Sequence, residues 1–126
     1  MNTVLIEQGV RDRLKVMAAG KLIGPGRQMI AFCLGADAIY SARGFMLSLG
    51  CIQALQCGNN TCPVGITTHD PELQRGLAVE DKSTRVANYV ENLEHDFYQL
   101  LAATGKTNPR DLTIANLYVP VNSPLS

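Results

Sequence analysis

The chain has 126 residues, 46% of them hydrophobic, and its eleven basic residues balance eleven acidic ones. That is enough apolar material for one modest core, which excludes a disordered polyelectrolyte. The zero net charge excludes the basic face that nucleic acid or an anionic membrane surface requires, and every apolar stretch is interrupted well before the roughly 20 residues of a membrane span. The N-terminus lacks the basic-then-apolar order of a signal peptide, so a soluble cytoplasmic protein is expected. Thiols stay reduced in that compartment. Four cysteines, three of them between Cys51 and Cys62, therefore point to metal or redox chemistry rather than disulfides.

In chain order, residues 2–13 read as the end of a helix and a polar turn. The run LKVMAAG (14–20) is short, apolar and closed by glycine, as a buried parallel strand would be. PGRQMIAFCLG (25–35) comes next as a crossover helix, with Pro25 suited to its start, Gly35 to its stop, and Met29, Ile30, Phe32 and Cys33 as apolar positions. ADAIYSA (36–42) reads as a second buried strand. RGFMLSLGCIQAL (43–55) reads as a second helix on the spacing of Phe45, Met46, Leu49, Ile52 and Leu55. Strand, helix, strand, helix is the pattern of parallel strands joined by crossovers.

Residues 56–76 (QCGNNTCPVGITTHDPELQRG) have no sustained period and form a loop that the cysteines could organise. From Asp81 as cap to Thr104, the residues Val86, Val90, Leu93, Phe97, Leu100 and Leu101 share one helical face, and Gly105 stops the pattern. Asn108 as cap and Pro109 as first residue open a short helix through about Asn116. A frayed tail after Tyr118 completes the chain.

Cys51, Cys57 and Cys62 stand as C-x5-C-x4-C with Pro63 directly after. Thiolates are soft ligands, and a loop carrying three beside Gly58 and Gly65 suits a compact core of iron and sulfide. A structural zinc site takes four protein ligands, and neither His69 nor Cys33 completes one at a usual spacing. Cys33 by itself reads as a small core hydrophobe. A second constellation lies at the strand ends, where parallel barrels commonly bind phosphate through backbone N–H groups. Gly20 and Lys21 come directly after the first strand, Ala42 and Arg43 directly after the second. The plainer alternative there is an ordinary turn glycine and two solvated cations. His69, before Asp70-Pro71, reads as part of a turn into a short helix, and His95, beside Glu91, Glu94 and Asp96, as part of a solvated helix face. No arrangement of Ser, His and Asp suggests acyl transfer, and no catalytic residue is assigned.

The stretch from Val16 to Leu77, VMAAGKLIGPGRQMIAFCLGADAIYSARGFMLSLGCIQALQCGNNTCPVGITTHDPELQRGL, resembles the FMN-binding domain of the glutamate synthase family, and the likeness extends to about residue 116. The resemblance implies an α/β fold that is the C-terminal fragment of a (β/α)8 barrel, with last strand and helix units over 1–50, an iron–sulfur loop over 51–66, a helical extension over 67–119 and a flexible tail over 120–126. It further implies a [3Fe-4S] cluster on Cys51, Cys57 and Cys62, and FMN phosphate held by the backbone at Gly20, Lys21, Ala42 and Arg43. Members of the family form L-glutamate by reducing 2-iminoglutarate, itself made from 2-oxoglutarate and ammonia. Their electrons come from a donor protein or subunit through iron–sulfur clusters to FMN.

A complete barrel takes about 250 residues, and only two strand and helix units precede the cysteines. The chain is therefore expected to be incomplete alone and to pair with the missing barrel segment or a complementary chain, or to self-associate through unprotected strand edges. Its rival reading is a stand-alone iron–sulfur electron-transfer or assembly module without substrate chemistry.

Overall fold

The two glycine-closed apolar runs do pair. In the computed structural model, which describes residues 1–118, β1 (Met17–Ala19) and β2 (Ala38–Tyr40) form a two-stranded parallel sheet with Met17 opposite Ala38, Ala18 opposite Ile39 and Ala19 opposite Tyr40. The fold is mixed α/β and mostly helical: α1 (Asn2–Glu7) precedes β1, α2 (Pro25–Cys33) links the strands, and α3 (Ala42–Ser48), α4 (Pro71–Gln74) and α5 (Val79–Ala103) come after β2. Single 3-10 turns lie at Arg11–Arg13, Pro109–Asp111 and Ile114–Asn116. The frayed tail expected over 120–126 lies outside the described residues. Among the described residues no helix is long and apolar enough to cross a membrane.

The chain divides into two compact units, one of residues 1–40 with the chain from Asp96 onward, the other Ser41–His95. In the first, α2 begins where Pro25 sets the first helical φ and ends one residue before the Leu34-Gly35 turn, as its composition predicts. Its inner face places Met29 and Cys33 in a core with Phe97, Leu101 and Leu112, against which Phe32 and Leu117 pack. Phe32 and Phe97 meet edge to face at 5.5 Å. The sheet is fixed from its rim by Arg11. The guanidinium donates to Asn2 Oδ1 at 2.6 Å, to the Leu14 and Gly35 carbonyls at 3.0 Å, and to Asp37 Oδ2 at 2.7 Å. Asp37 Oδ2 also accepts the Val16 N–H at 2.7 Å, so one carboxylate ties the residue before β1 to the residue before β2.

In the second unit, α3 is capped at Ser41 without a side-chain capping bond, and its Phe45 ring meets Tyr89 edge to face at 5.6 Å. Gly44 lies under the Tyr89 hydroxyl, where a Cβ would collide with it. Asp70 caps α4 by accepting the Glu72 N–H at 2.9 Å, which is the turn into a short helix that His69-Asp70-Pro71 predicts. Residues 79–95 of α5 complete this unit.

Several expectations need correction. Both strands are three residues long and only half-buried at Ala18 and Ile39, with Met17 and Tyr40 exposed. Among the described residues no third strand flanks them, so the apolar runs are not sandwiched as a buried parallel strand would be. The helix expected over 43–55 stops at Ser48, and Ile52 and Leu55 are exposed outside it. The long helix starts at Val79, with the Ala78 carbonyl accepting from the Lys82 N–H, so Asp81 lies inside its first turn and is not its cap. Leu100 is exposed, on the flank of the face that buries Phe97 and Leu101. The single helix expected over 108–116 is two 3-10 turns, because Leu112 is extended and buries its side chain in the core.

Leu101 is 1% exposed and central to this core. Its replacement by Ala should cost about 2–5 kcal/mol through lost transfer energy and a residual cavity. Replacing exposed Ile114 by Ala should change stability by only about 0.5 kcal/mol or less. Urea unfolding of the two variants beside the parent chain checks both.

Candidate metal centre

Each of the three clustered cysteines is placed by a different piece of local chemistry. Helix α3 ends in a Schellman motif: the Gly50 N–H donates to the Leu47 carbonyl at 2.9 Å and the Cys51 N–H to the Met46 carbonyl at 3.0 Å. The motif needs a left-handed residue just beyond the helix, and Gly50 supplies it at φ +100°. Cys51 is thereby fixed where the helix hands over to the loop, half-buried, with the Gln53 N–H directed at its sulfur at 3.4 Å.

Cys57 lies in an exposed turn. The Gln56 side-chain carbonyl gathers Asn59 Nδ2 at 3.0 Å and the Thr61 hydroxyl at 3.2 Å around it. Cys62 is buried. The loop that carries it is braced by Asn60 and Thr68. The Thr68 hydroxyl donates to the Asn60 carbonyl at 2.7 Å and accepts the Asp70 N–H at 3.1 Å, while Asn60 Oδ1 accepts the His69 N–H at 2.6 Å. Gln74 Nε2 donates to the Thr68 carbonyl at 2.8 Å, tying the brace to α4. Gly65, at φ +78°, brings the backbone so close to the Leu73 carbonyl that no side chain would fit.

The chain folds back on the Cys62 sulfur. The Thr67 N–H, the Val64 N–H, the Thr67 hydroxyl and the Ile66 N–H all favour its thiolate, against a smaller opposing effect of burial, and hold its pKa at about 7. Cys33, in the apolar core, is pushed the other way by burial. This separates a structural thiol from one prepared to ionise.

Cys51, Cys57 and Cys62 line one small cavity of about 10 Å³, the size of a single water, walled mainly by apolar groups including Met46, Pro63, Val64 and Ile66. The exposed Ile52, Ala54, Leu55 and Gln56 line its outer side, and Thr67 lines it beside Cys62. No three Cys, His, Asp or Glu side chains among the described residues converge on a point that would hold one metal ion. In a polynuclear iron–sulfide core each thiolate binds its own iron, so the sulfurs need not converge on one point. The donor set, three soft thiols of which one already favours its thiolate, fits that chemistry.

The other residues singled out in the sequence sit at strand ends. Gly20 (φ +128°) and Lys21 (φ +56°) turn the chain directly after β1, both exposed, with open space where a Gly20 side chain would be. Ala42 and Arg43 are the first two residues of α3, also exposed. The first pair belongs to one unit and the second pair to the other. Thr67, Thr68 and Asn60 do not stand out in the sequence. They read as loop formers, and their one signal is that Asn and Thr flank both sides of the last cysteine.

The conserved region in glutamate synthase matches residues 1–107, most of the chain. The chain belongs to the glutamate synthase family. It is 48% identical over 109 residues to the glutamate synthase large subunit-like protein YerD of Bacillus subtilis (strain 168), covering 86% of this chain and 21% of that protein. It is 36% identical over 101 residues to the archaeal glutamate synthase [NADPH] of Methanocaldococcus jannaschii, covering 80% of this chain and 20% of that one. Against the glutamate synthase [NADPH] large chain of Bacillus subtilis the identity is 31% over 101 residues, 80% of this chain and 6% of that protein. The chain thus spans about a fifth of the length of the first two relatives.

Thiolate absorbance should show the preparation of Cys62 in the metal-free chain. As pH rises, a first ionisation step of one thiol is expected near pH 7, with Cys33 ionising above its ordinary value of 9.0. The first step should vanish in Cys62→Ser. Because the folded pKa is lowered, this thiolate stabilises the fold fully above the ordinary pKa, and that contribution fades as pH falls through about 7.

Proposed function

We propose that this chain is the cluster-binding part of a glutamate synthase-type oxidoreductase, with Cys51, Cys57 and Cys62 holding a [3Fe-4S] cluster. The observation that carries the reading is the cavity that these three cysteines share, at which the backbone of Val64 and Thr67 lowers the pKa of the Cys62 thiol to about 7. Backbone N–H groups do not compete as ligands; they stabilise negative sulfur. The cavity is water-sized, and a cluster would be seated there by displacement of the exposed Ile52, Ala54 and Leu55.

When bound, such a cluster supplies one-electron relay. The chain's own residues set its surroundings: the half-buried Met46, Val64 and Ile66 limit water at its inner side, and the Asn60–Thr68 brace fixes the loop that carries Cys62. The acceptor in this reading is FMN, whose phosphate the backbone at Gly20, Lys21, Ala42 and Arg43 would hold. This part rests on the family resemblance and on the open, left-handed turn at Gly20 and Lys21. The strand and helix units belong to the last part of a (β/α)8 barrel, completed by a further barrel segment or a complementary chain. In the complete enzyme the substrate is 2-oxoglutarate with ammonia, reduced as 2-iminoglutarate to L-glutamate. The electrons come from a pyridine nucleotide through a donor protein or subunit, as NADPH in the names of the relatives suggests.

Anaerobic reconstitution of the chain with iron and sulfide tests the central claim. On the order of three irons with matching sulfide and a broad visible absorption should be bound per chain. Cys57→Ser should lose most of both. Undiminished iron, sulfide and absorption in that variant would remove Cys57 from the ligand set and sink the three-cysteine assignment.

A further inference from the structure

Two adjacent threonines stand shortly after the last cysteine of the cluster, and the structure uses them differently. The Thr68 hydroxyl is fully engaged, donating to the Asn60 carbonyl at 2.7 Å and accepting the Asp70 N–H at 3.1 Å. The Thr67 hydroxyl is buried yet makes no hydrogen bond of good geometry. Thr67 also lines the cavity shared by Cys51, Cys57 and Cys62. A buried hydroxyl without a partner is rare in folded proteins and calls for an explanation, such as an ion or group that completes it. A neutral thiol is a weak acceptor. A metal-bound thiolate carries more charge and is a better one.

We propose that Thr67 is a positioning residue for the cluster: its hydroxyl donates a hydrogen bond to the metal-bound sulfur of Cys62 and raises the cluster's reduction potential. The proposal rests on the cluster reading given above and deepens it. A hydrogen bond to sulfur draws negative charge away from the iron core. The reduced cluster carries one more electron than the oxidised one, so it gains more from that bond and the potential moves upward. The same hydroxyl fixes the orientation of the Cys62 side chain, which Thr68 cannot do because both of its hydrogen-bonding roles are taken within the loop.

Anaerobically reconstituted full-length chain serves for the test, in the parent form and as Thr67→Val and Thr67→Ser. Iron and sulfide content are measured first, then the midpoint potential by redox titration monitored through electron paramagnetic resonance. Thr67→Val keeps the shape but removes the donor, and its potential should shift to more negative values. Thr67→Ser keeps the donor and should return towards the parent potential. Failure of the Val variant to load while the Ser variant loads with parent-like potential also supports the role, since the two differ in the hydroxyl. Equal potentials in parent and Val variant, at equal iron content, would overturn the proposal and leave the cluster reading intact. Failure of both variants to load would likewise overturn it, because the Ser variant retains the hydroxyl. A parent chain that takes up no iron or sulfide would overturn both readings together.

Discussion

The site depends on a single backbone event, the termination of α3 at Gly50. Had the helix run on through Leu55, as the apolar spacing of Ile52 and Leu55 suggests, Cys51 would be one more helix-surface thiol. The left-handed φ of Gly50 instead lets the Cys51 N–H close back on Met46 and releases the chain as a loop. An L-residue at Gly50 would carry the left-handed penalty of about 1–2 kcal/mol, which is why glycine is the residue of choice there. Within the loop, Gln53, Leu55 and Asn60 adopt left-handed conformations of their own. The Asn60 turn is held by its bonds to Thr68 and His69. Leu55 has no such return, since its side chain is 87% exposed. Backbone strain without compensating burial is characteristic of segments shaped for something other than stability.

In the other unit the corresponding role falls to Asp37. Its carboxylate accepts the Val16 N–H and the Arg11 guanidinium, so the entry to β1 and the entry to β2 are set against each other before the three-residue ladder begins. So short a sheet contributes few hydrogen bonds, and its register rests on this contact more than on the strands. The Val16 N–H, with the hydrogen bond and charge of Arg11 adding to it, outweighs burial and holds the Asp37 carboxyl below its ordinary value of 3.8. The stabilisation is therefore complete above that value and is lost as pH falls through the lowered one. Neutral pH leaves it intact.

The range of the deciding contacts sets how much of this was legible in the sequence. Features set within one or two helical turns could be read: Pro25 and Gly35 bracket α2, Asp70 caps α4, Asn108 caps the 3-10 turn at Pro109–Asp111, and Phe97 and Leu101 mark the inner face of α5. The order of strand and crossover, and the parallel pairing, could also be read from alternating composition. Features decided by longer contacts could not. Periodicity carried the second helix past Gly50 because Ile52 and Leu55 keep the helical spacing, and apolar residues are indifferent evidence once they are exposed. Asp81 has the chemistry of a cap, but the Ala78 carbonyl already starts the helix. The cysteine spacing singled out three residues that the fold gathers around one cavity, whereas the surrounding donors, above all Thr67, are ordinary loop residues until the chain folds back on Cys62.

The three thiols are not equivalent, and this inequality bears on how such a site works. Cys62 is buried, and its neighbouring backbone lowers the pKa of its thiol to about 7. Cys51 is half-buried and pinned by the end of a helix. Cys57 is exposed in a turn held by the Gln56 side chain. A loop in which all three were buried and fixed would bear the desolvation of three thiolates before any metal arrived. One that left all three exposed would leave the ordering of the whole loop to the binding event and leave the bound sulfur open to water. Fixing one thiol deeply, one partly and one barely would divide these costs between an inner sulfur that already favours its anion and an outer one left in an exposed turn. In the proposed reading, a redox group whose charge changes by one electron would be served by polarity concentrated at the buried sulfur and adaptability left at the exposed one.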